Sequence, residues 1–341
     1  MKDILVVKLS AIGDVIHALP VAYAIKETYP DARLTWVAEP AAYELLGAVP
    51  CIDERILFKK KEFRSIGGFL SNYGPLKRQL RKHAFDVSLD LQGLFKSAAI
   101  VHTAGAKLRL GTCNMREMSD RVSRPVIGAN AKGHIVERYL DVARAIGCRV
   151  EQVVFPLAIP PREAELTRKI LVKAGVPEGA SYVVLAVGAN WPNKRWPAAS
   201  YAALSDWLYD CGLLPVIIGG GAVDAQIAAE IEARAEIPPI NLVGRTSLVQ
   251  LASVVKNARA VVGGDTGPVH LAAGLRTRTV MLMGPTDPNR NGPYGQPENA
   301  VEADRSCRYC WKRACPKGLD CLDAISPKQV EGKLQELLGN L

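Results

Sequence analysis

One stretch decides the fold prediction: Ala260-Val261-Val262-Gly263-Gly264-Asp265-Thr266-Gly267-Pro268-Val269-His270. We expect residues 260–263 to form a buried strand, because β-branched residues fill the run and glycines end it. Pro268 suits the first position of a helix, so we expect a helix over residues 268–275. The stretch therefore predicts a strand, a turn and a helix, the unit from which parallel sheets are built.

The same alternation recurs along the chain. The predicted strands are 4–9, 33–38, 55–58, 86–91, 108–111, 182–188, 213–219, 240–243, 260–263 and 279–283. The predicted helices include 15–28, 74–82, 199–211, 223–235, 247–256 and 268–275. Nearly continuous apolar strands that alternate with helices predict α/β domains with doubly wound parallel sheets. The prolines of residues 155–161 predict a junction, which gives domains 1–158 and 159–341.

Length and charge narrow the class of protein. The chain has 341 residues, enough for two domains, and a formal net charge of +9 that favours an anionic partner. No run approaches the about 18 consecutive apolar residues of a membrane-spanning helix. Lys8 and Asp14 interrupt the apolar N-terminus, so we expect a first strand and helix there and not a signal peptide. This pattern predicts a cytoplasmic protein.

The first predicted strand leads into Ser10-Ala11-Ile12-Gly13-Asp14. A carboxylate at the carboxyl end of a strand can act as a general base toward an acceptor hydroxyl. An Asp at this place can equally serve as the N-cap of the following helix, and the local pattern leaves both roles open. The G-x-G-x-x-G fingerprint is missing after this strand, which argues against a nicotinamide-dependent oxidoreductase.

Two loops of the second half have features that suit a phosphate group. Lys194 and Arg195 lie between two tryptophans, a pattern that fits either an anion site or a solvated pair beside packed rings. Gly219-Gly220-Gly221 permits close approach of a ligand to the backbone, although it also fits a tight turn. The nearby Asp224 can reach a ribose hydroxyl or cap a helix.

The loop after the strand 260–263 gives the strongest signal. Thr266 and Gly267 would present unpaired N–H groups at a helix N-terminus, which is a ready site for a diphosphate. Asp265 repels a phosphate, so we expect it to accept hydrogen bonds from sugar hydroxyls or from the N–H groups of its own loop. His270 lies in the first helical turn, within reach of the same anion. Three phosphate-compatible loops on one sheet favour a nucleotide diphosphate as ligand.

Four of the eight cysteines lie in one short segment, at Cys307, Cys310, Cys315 and Cys321. Such a group in a cytosolic chain is typical of a structural zinc or iron site, with reduced thiols and disulfides as the alternatives. None of these alternatives makes the cluster catalytic.

Five motifs in register resemble the lipopolysaccharide heptosyltransferases of glycosyltransferase family nine. They are Ser10–His17, Asp90–Ser97, Lys194–Pro197, Gly264–His270 and Gly284–Pro288. The resemblance spans essentially the whole chain and implies a GT-B fold, in which two Rossmann-like domains face a central cleft. It implies an N-terminal domain for a lipid-linked acceptor, a C-terminal domain for ADP-L-glycero-D-manno-heptose, and inverting transfer that needs no cofactor. The likeness is greatest to enzymes that add the first heptose, to Kdo, and addition of the second heptose is the alternative.

The resemblance also implies residue roles. Asp14 matches the family's proposed catalytic base, and Lys194 matches a lysine on the donor diphosphate side. The matching donor-binding residues are Asp265, Thr266, Gly267 and His270. Asp224 is assigned to the ribose, although its loop does not align uniquely. The matching acceptor-binding residues are Lys96 and Arg116.

A second basic segment lies in the predicted acceptor domain, at Lys59, Lys60, Lys61 and Arg64. These residues can bind the phosphates of Kdo-lipid A and the inner-leaflet surface, and a solvated basic loop fits the pattern equally well. The first reading predicts a protein held peripherally at the cytoplasmic face of the inner membrane. Nucleic acid is excluded as a partner, because the basic residues are dispersed and no recognition motif accompanies them. Another nucleotide-dependent α/β enzyme remains the less favoured alternative.

Overall fold

Each half of the chain forms a six-stranded sheet in the computed structural model, which describes residues 1–339. The chain divides into one unit of residues 1–158 and a second that begins at Ile159. All strand pairs in both sheets are parallel. The predicted doubly wound α/β class is confirmed.

The first unit orders its strands β3-β2-β1-β4-β5-β6. The strands are β1 (Asp3–Val7), β2 (Arg33–Ala38), β3 (Glu54–Leu57), β4 (Val87–Asp90), β5 (Leu108–Gly111) and β6 (Arg124–Pro125). The helices are α1 (Ile12–Thr28), α2 (Pro40–Leu45), α3 (Ile66–Leu80), α4 (Phe95–Ala104) and α5 (Ile135–Arg144). Short 3₁₀ turns lie at Leu46–Ala48, Lys60–Phe63 and Ser119–Arg121.

The second unit orders its strands β9-β8-β7-β10-β11-β12. The strands are β7 (Tyr182–Ala186), β8 (Leu214–Ile218), β9 (Ile240–Asn241), β10 (Ala260–Gly264), β11 (Thr279–Met283) and β12 (Ala300–Glu302). The helices are α6 (Pro161–Ala174), α7 (Ala198–Asp210), α8 (Ala222–Glu232), α9 (Leu248–Asn257), α10 (Gly267–Gly274), α11 (Pro288–Asn291) and α12 (Pro327–Leu338). Further 3₁₀ turns lie at Pro192–Lys194, Pro297–Asn299 and Cys321–Ala324.

The two sheets share one topology. In each, the chain builds the first three strands outward in one direction and then returns to add the other three on the opposite side. The order therefore reverses between β1 and β4 in the first unit and between β7 and β10 in the second. Ligands of doubly wound sheets bind beyond the carboxyl ends of strands at such a reversal. The loops after these four strands are the places where the fold favours a site.

Burial on both faces explains why the central strands are apolar throughout. Every side chain of β10 is buried, and so are those of β7 and β11 beside it. Helix α7 begins next to Trp196, whose indole N–H donates to the Ile325 carbonyl at 2.8 Å. The Trp196 ring packs edge-on against Tyr201, with the ring centroids 5.0 Å apart. These contacts hold the loop after β7 on the core of the second unit.

The structure corrects several predicted boundaries. Helix α3 begins at Ile66 and not at residue 74, and α10 begins at Gly267, one residue before Pro268. The edge strands β6 and β12 were not predicted, because two or three residues are too short to show a period. Helices missing from the prediction are α2, α4, α5, α6, α11 and α12. Among the described residues, none of the helices combines the length and apolar character needed to cross a bilayer.

Strand β10 ends in close contact with the turn that carries Lys194. A Cβ atom built at Gly264 would overlap the Lys194 carbonyl oxygen, whereas one at Gly220 meets no neighbour. Glycine is therefore required at residue 264 because two backbone segments approach each other there.

We predict that Gly264→Ala destabilises the second unit, because the backbone must move to admit the new methyl group. Overpacking of this kind costs about 1–3 kcal/mol. A unit of this size should melt roughly 2–4 °C lower for each kcal/mol lost. Thermal unfolding followed by circular dichroism measures the shift, with Gly220→Ala as the matched control. Equal melting temperatures for the two variants would refute the required close approach.

Candidate active site

The loops after β1 and β4 are joined by side-chain hydrogen bonds. The Gln92 side-chain oxygen accepts from the N–H groups of Leu9 and Ser10 at 3.0 and 3.1 Å. Asp90 is fully buried and accepts from the N–H groups of Gln92 and Gly93 at 3.0 and 2.8 Å. Burial raises the pKa of Asp90 above its ordinary value, despite these hydrogen bonds. The loop that follows β4 thus fixes the backbone that leads to Asp14.

Asp14 is not the N-cap of α1. The N-cap is Ala11, and Asp14 is the third residue of the helix. Its Oδ2 accepts from the Ala11 N–H at 3.3 Å. The Asp14 side chain is only partly buried, so its carboxylate remains accessible to solvent while it accepts this hydrogen bond. This geometry is compatible with a base that takes a proton from an incoming hydroxyl group.

A buried cation lies close to Asp14. The Lys8 side chain is buried, and its ammonium lies 5.0 Å from the centroid of the Tyr139 ring. Burial alone would lower the pKa of Lys8, but Tyr139, Asp14 and Asp90 outweigh it and hold the pKa above its ordinary value. Lys8 is therefore positively charged, which places a fixed positive charge among these acidic residues.

Lys96 is the second residue of α4, whereas Arg116 lies in the segment after β5, where its backbone contacts the loop after β4. The Lys96 ammonium pairs with Glu39 at 2.6 Å and donates to the Ser10 hydroxyl at 3.3 Å. The N–H of Arg116 donates to the Gly93 carbonyl at 2.9 Å, and the Arg116 side chain is exposed. The structure thus brings the Lys96 side chain to the loop that leads to Asp14, where Glu39 already pairs with it, whereas Arg116 meets the loop after β4 through its backbone.

The second basic segment occupies a different part of the unit. Lys60 and Lys61 lie on the 3₁₀ turn before α3, flanked by Lys59 and Arg64. Lys59 pairs with Glu62 at 3.0 Å. Over residues 1–339, no side-chain hydrogen bond or ion pair joins this segment directly to the loops after β1 and β4. The predicted acceptor-binding residues therefore form two groups.

In the second unit, three side chains form hydrogen bonds with the buried carboxylate of Asp265. It accepts from the Lys194 ammonium at 2.5 Å, from His270 Nε2 at 2.7 Å and from the Thr286 hydroxyl at 2.6 Å. The Lys194 ammonium also lies 4.5 Å from the centroid of the Trp191 ring. Of the two kinds of donor predicted for Asp265, the N–H groups of its own loop make no hydrogen bond to it among the described residues, and binding to sugar hydroxyls stays a prediction.

The charges around Asp265 are matched. Burial alone raises the pKa of Asp265, but His270 and Lys194 outweigh it and hold the pKa far below its usual range. The neighbouring groups therefore hold Asp265 in its ionised form. An ammonium has three donors, so Lys194 retains hydrogen-bonding capacity beyond Asp265.

Helix α10 begins beside this cluster. Thr266 is its N-cap and Gly267 its first residue, and a helix leaves the N–H groups of its first turn without intrahelical partners. In the part of the chain that the structure describes, the buried Thr266 hydroxyl oxygen has no hydrogen-bond partner. A buried polar atom without a partner at a helix N-terminus is the arrangement expected where an anionic ligand binds. His270 lies in the first turn of α10, as predicted, and its Nε2 bonds to Asp265.

Asp224 closes the glycine loop. It is the third residue of α8, and its Oδ2 accepts from the Gly220 N–H at 2.8 Å. A Cβ atom at Gly188 or at Gly219 would overlap the Asp224 carboxylate, so both glycines allow the acid to sit between the loops after β7 and β8. The position is the same as that of Asp14 in the first unit: an acid in the first helical turn that holds the preceding loop.

The predicted structural metal site is not supported. Among residues 1–339, no group of three or more His, Cys, Asp or Glu side chains is arranged to hold a metal ion. The four cysteines of the predicted site are free, and they differ in environment: Cys321 is buried, Cys310 is exposed, and Cys307 and Cys315 are intermediate. Burial raises the pKa of Cys321, whereas N–H groups of Leu319 and Lys317 lower the pKa of Cys315.

The cysteine segment instead packs against the loops around Asp265. The Tyr309 N–H donates to the Gly284 carbonyl and the Trp311 N–H to the Pro285 carbonyl, both at 2.9 Å. On the other side, the Asn193 amide donates to the Lys312 carbonyl at 2.6 Å. The segment therefore supports both the turn that carries Lys194 and the loop that carries Thr286.

The residue pattern missed several partners in these clusters. Gln92 and Thr286 lie within quoted motifs, but neither had been given a role. Glu39, the partner of Lys96, lies in no motif, and Lys8 was noted only as a break in an apolar run. The motif positions were a usable signal for Gln92 and Thr286, because both lie within three residues of the end of a buried strand.

Comparison with known proteins identifies the family. Residues 74–319 match the model of glycosyltransferase family 9 (heptosyltransferase). The chain is 29% identical to lipopolysaccharide heptosyltransferase 1 of Pseudomonas aeruginosa over 98% of each sequence.

Solved structures show the same fold. E. coli ADP-heptose lipopolysaccharide heptosyltransferase II superposes with a TM-score of 0.79 at 25% identity, covering 99% of this chain and 98% of that one. E. coli heptosyltransferase WaaC with ADP superposes with a TM-score of 0.75 at 24% identity, covering 98% of this chain and 99% of that one. These likenesses confirm the predicted GT-B class. With a family model that matches most of its length, the chain belongs to glycosyltransferase family 9, the heptosyltransferases.

Proposed function

We propose that this glycosyltransferase moves L-glycero-D-manno-heptose from ADP-heptose to a Kdo hydroxyl of the lipopolysaccharide inner core, with inversion. The observation that carries the donor half is the cluster at the start of α10. Lys194 is held against the buried Asp265, and the Thr266 hydroxyl beside them lacks a partner within residues 1–339. Full-length similarity to a heptosyltransferase 1 supports transfer of the first heptose.

The donor diphosphate is assigned to the N-terminus of α10. The N–H groups of Thr266 and Gly267 and the partial positive charge of the helix start suit phosphate oxygens. Lys194 adds a full positive charge at the point where the leaving ADP gains negative charge. Asp265 and His270 are positioning residues: they hold Lys194 and the loop in place and do not themselves bind the diphosphate. Asp224 is assigned to the ribose, as the acid that follows the glycine loop.

The reaction proposed is a single displacement. The Asp14 carboxylate accepts the proton of the Kdo hydroxyl while that oxygen attacks the anomeric carbon of heptose. The bond from that carbon to the diphosphate oxygen breaks, and ADP leaves with the electron pair. One displacement inverts the anomeric configuration.

The acceptor is assigned to the first unit. Lys96 contacts the Ser10 hydroxyl in the loop that leads to Asp14, and Arg116 lies against Gly93; both side chains suit the carboxylate or phosphate groups of the acceptor. Lys59, Lys60, Lys61 and Arg64 are assigned to the phosphates of Kdo-lipid A. This assignment places the enzyme at the cytoplasmic face of the inner membrane, where basic residues near an anionic surface contribute about 1 kcal/mol each.

Transfer of the second heptose is the alternative function. The fold likeness to E. coli heptosyltransferase II, with a TM-score of 0.79, favours it. The two reactions share the donor and differ in the acceptor sugar. The donor cluster therefore serves both equally, and the acceptor decides between them.

The direct test is product analysis. Incubation with ADP-heptose and Kdo-lipid A should yield ADP and an acceptor heavier by one heptose, and mass spectrometry detects both. An acceptor that already carries one heptose should remain unchanged. Extension of that second acceptor alone would assign the alternative function. The release of ADP without a heavier acceptor of either kind would contradict the proposal.

Asp14→Asn separates the base from its helix contact. The amide oxygen of Asn can still accept from the Ala11 N–H, but Asn cannot take up a proton. We predict that turnover falls about 10²–10⁴-fold while ADP binding stays within about twofold of the unmodified protein, because general-base assistance has that magnitude. Initial rates and ADP titration measure the two effects. Near-normal turnover would show that Asp14 serves only the helix start.

A further inference from the structure

Helix α3 carries an exposed apolar stripe that the proposed chemistry does not use. The exposed fractions are 83% for Ile66, 46% for Phe69 and 72% for Leu70. These residues follow the i, i+3, i+4 spacing that places side chains on one face of a helix. Of the residues in α3, only Leu80 at its far end is buried. Single exposed apolar residues are ordinary, but three on one helix turn form a patch typical of an interaction site.

The start of α3 is ordered by local contacts. The Ser65 hydroxyl caps the helix by accepting from the Gly68 N–H at 3.1 Å. The Phe69 ring stacks on Tyr73 with centroids 5.1 Å apart. Phe69 also meets Phe63 edge-on at 6.3 Å, and Phe63 packs on the buried Phe58 at 5.1 Å. A row of rings therefore connects the exposed stripe to the core of the first unit.

The basic segment is fixed against the same helix turn. A Cβ atom at Gly68 would overlap the Glu62 carbonyl oxygen, so the 3₁₀ turn at Lys60–Phe63 lies directly on the helix. The Asn72 amide donates to the Gly68 carbonyl at 2.8 Å and lies 3.5 Å from the Glu62 carbonyl oxygen. Apolar and cationic side chains thus belong to one ordered surface.

Charge identifies what this surface fits. Residues 59–81 contain seven basic residues and one acid, Glu62, which pairs with Lys59. A second copy of the same surface would bring like charges together and be repelled. Anionic lipid headgroups attract the cations, and the acyl region below them accepts the apolar side chains.

We propose that the first two turns of α3 insert into the interfacial region of an anionic bilayer. Ile66, Phe69 and Leu70 enter the acyl boundary, and Lys60, Lys61 and Arg64 engage the headgroups. The inference deepens the proposed function, since it names the lipid surface on which a lipid-linked acceptor is met. Attachment to that surface is separable from the transfer reaction itself.

Tryptophan placed in the stripe tests insertion directly. In the full chain, Phe69→Trp is compared with Ile127→Trp, a residue of the same unit that is 81% exposed and lies outside the patch. Vesicles of phosphatidylcholine and phosphatidylglycerol with brominated acyl chains should quench the added tryptophan of Phe69→Trp and leave that of Ile127→Trp unquenched. Equal quenching of the two variants, or quenching of neither, would overturn the proposal.

Polar substitution tests what the stripe contributes. We predict that Ile66→Ser/Phe69→Ser/Leu70→Ser lowers the vesicle partition coefficient about tenfold or more, because burial of apolar groups drives interfacial binding. The control variant Ile127→Ser should bind the vesicles as tightly as the unmodified protein does. The unmodified protein should bind vesicles of phosphatidylcholine alone at least about tenfold more weakly than the anionic vesicles. Cosedimentation measures each value, and circular dichroism verifies folding. Binding equal to that of the unmodified protein would refute the role of the stripe, as would a triple variant that changes only self-association.

Two readouts keep this inference apart from the proposed function. The triple serine variant should transfer heptose to a deacylated, water-soluble Kdo acceptor at an unchanged rate. Loss of vesicle binding with intact transfer supports insertion. Intact vesicle binding in the variant refutes insertion and leaves the transfer proposal standing, whereas an unmodified protein that binds vesicles but transfers no heptose refutes only the proposed function.

Discussion

The buried carboxylate of Asp265 is the interaction on which the second unit's site depends. An ionised carboxylate inside a protein costs several kcal/mol unless charges and hydrogen bonds compensate it. Lys194, His270 and Thr286 supply that compensation from three separate segments of the chain. Removal of one partner leaves an unmatched charge, so the segments are held together by a shared electrostatic requirement. The fold places them within reach because β7 and β10 are neighbours at the reversal of strand order.

The first unit also has a buried acid at the end of a central strand, but its hydrogen-bond donors are uncharged groups. Asp90 ends β4 and is buried, but backbone N–H groups and the Ser97 hydroxyl satisfy it. The Gln92 side chain in turn accepts hydrogen bonds from the backbone after β1 and fixes it in place. One unit therefore fixes a loop that leads to a partly open acid, and the other fixes a cation beside a helix N-terminus. The same topology thus positions two different sets of side chains, because the loops after the strands differ.

What could be predicted from the sequence followed from local pattern. The strands around Val262 and Leu5 are continuous apolar runs that end in glycines or polar residues, so their type and approximate bounds were predictable. The hydrogen bond between Thr286 and Asp265 was not, because it joins loops 21 residues apart and depends on strand order. Helix α3 was placed too late because Gly67 and Gly68 weaken its first turn, and the cap at Ser65 outweighs them. The cysteine spacing predicted a metal site, but spacing alone does not fix the direction of the thiols.

In the proposed reaction, Lys194 supplies the positive charge that binds the donor diphosphate. Calorimetric titration of ADP into Lys194→Gln tests it, because the amide can still donate to Asp265 but carries no charge. Arg195→Gln is the control, since the Arg195 guanidinium donates to the Ala189 carbonyl at 2.9 Å. A hydrogen bond to a charged group is worth about 1.5–3 kcal/mol, so Lys194→Gln should weaken ADP binding roughly 10- to 100-fold and Arg195→Gln by less than about twofold. Equal losses in the two variants, or unchanged binding in Lys194→Gln, would contradict the claim.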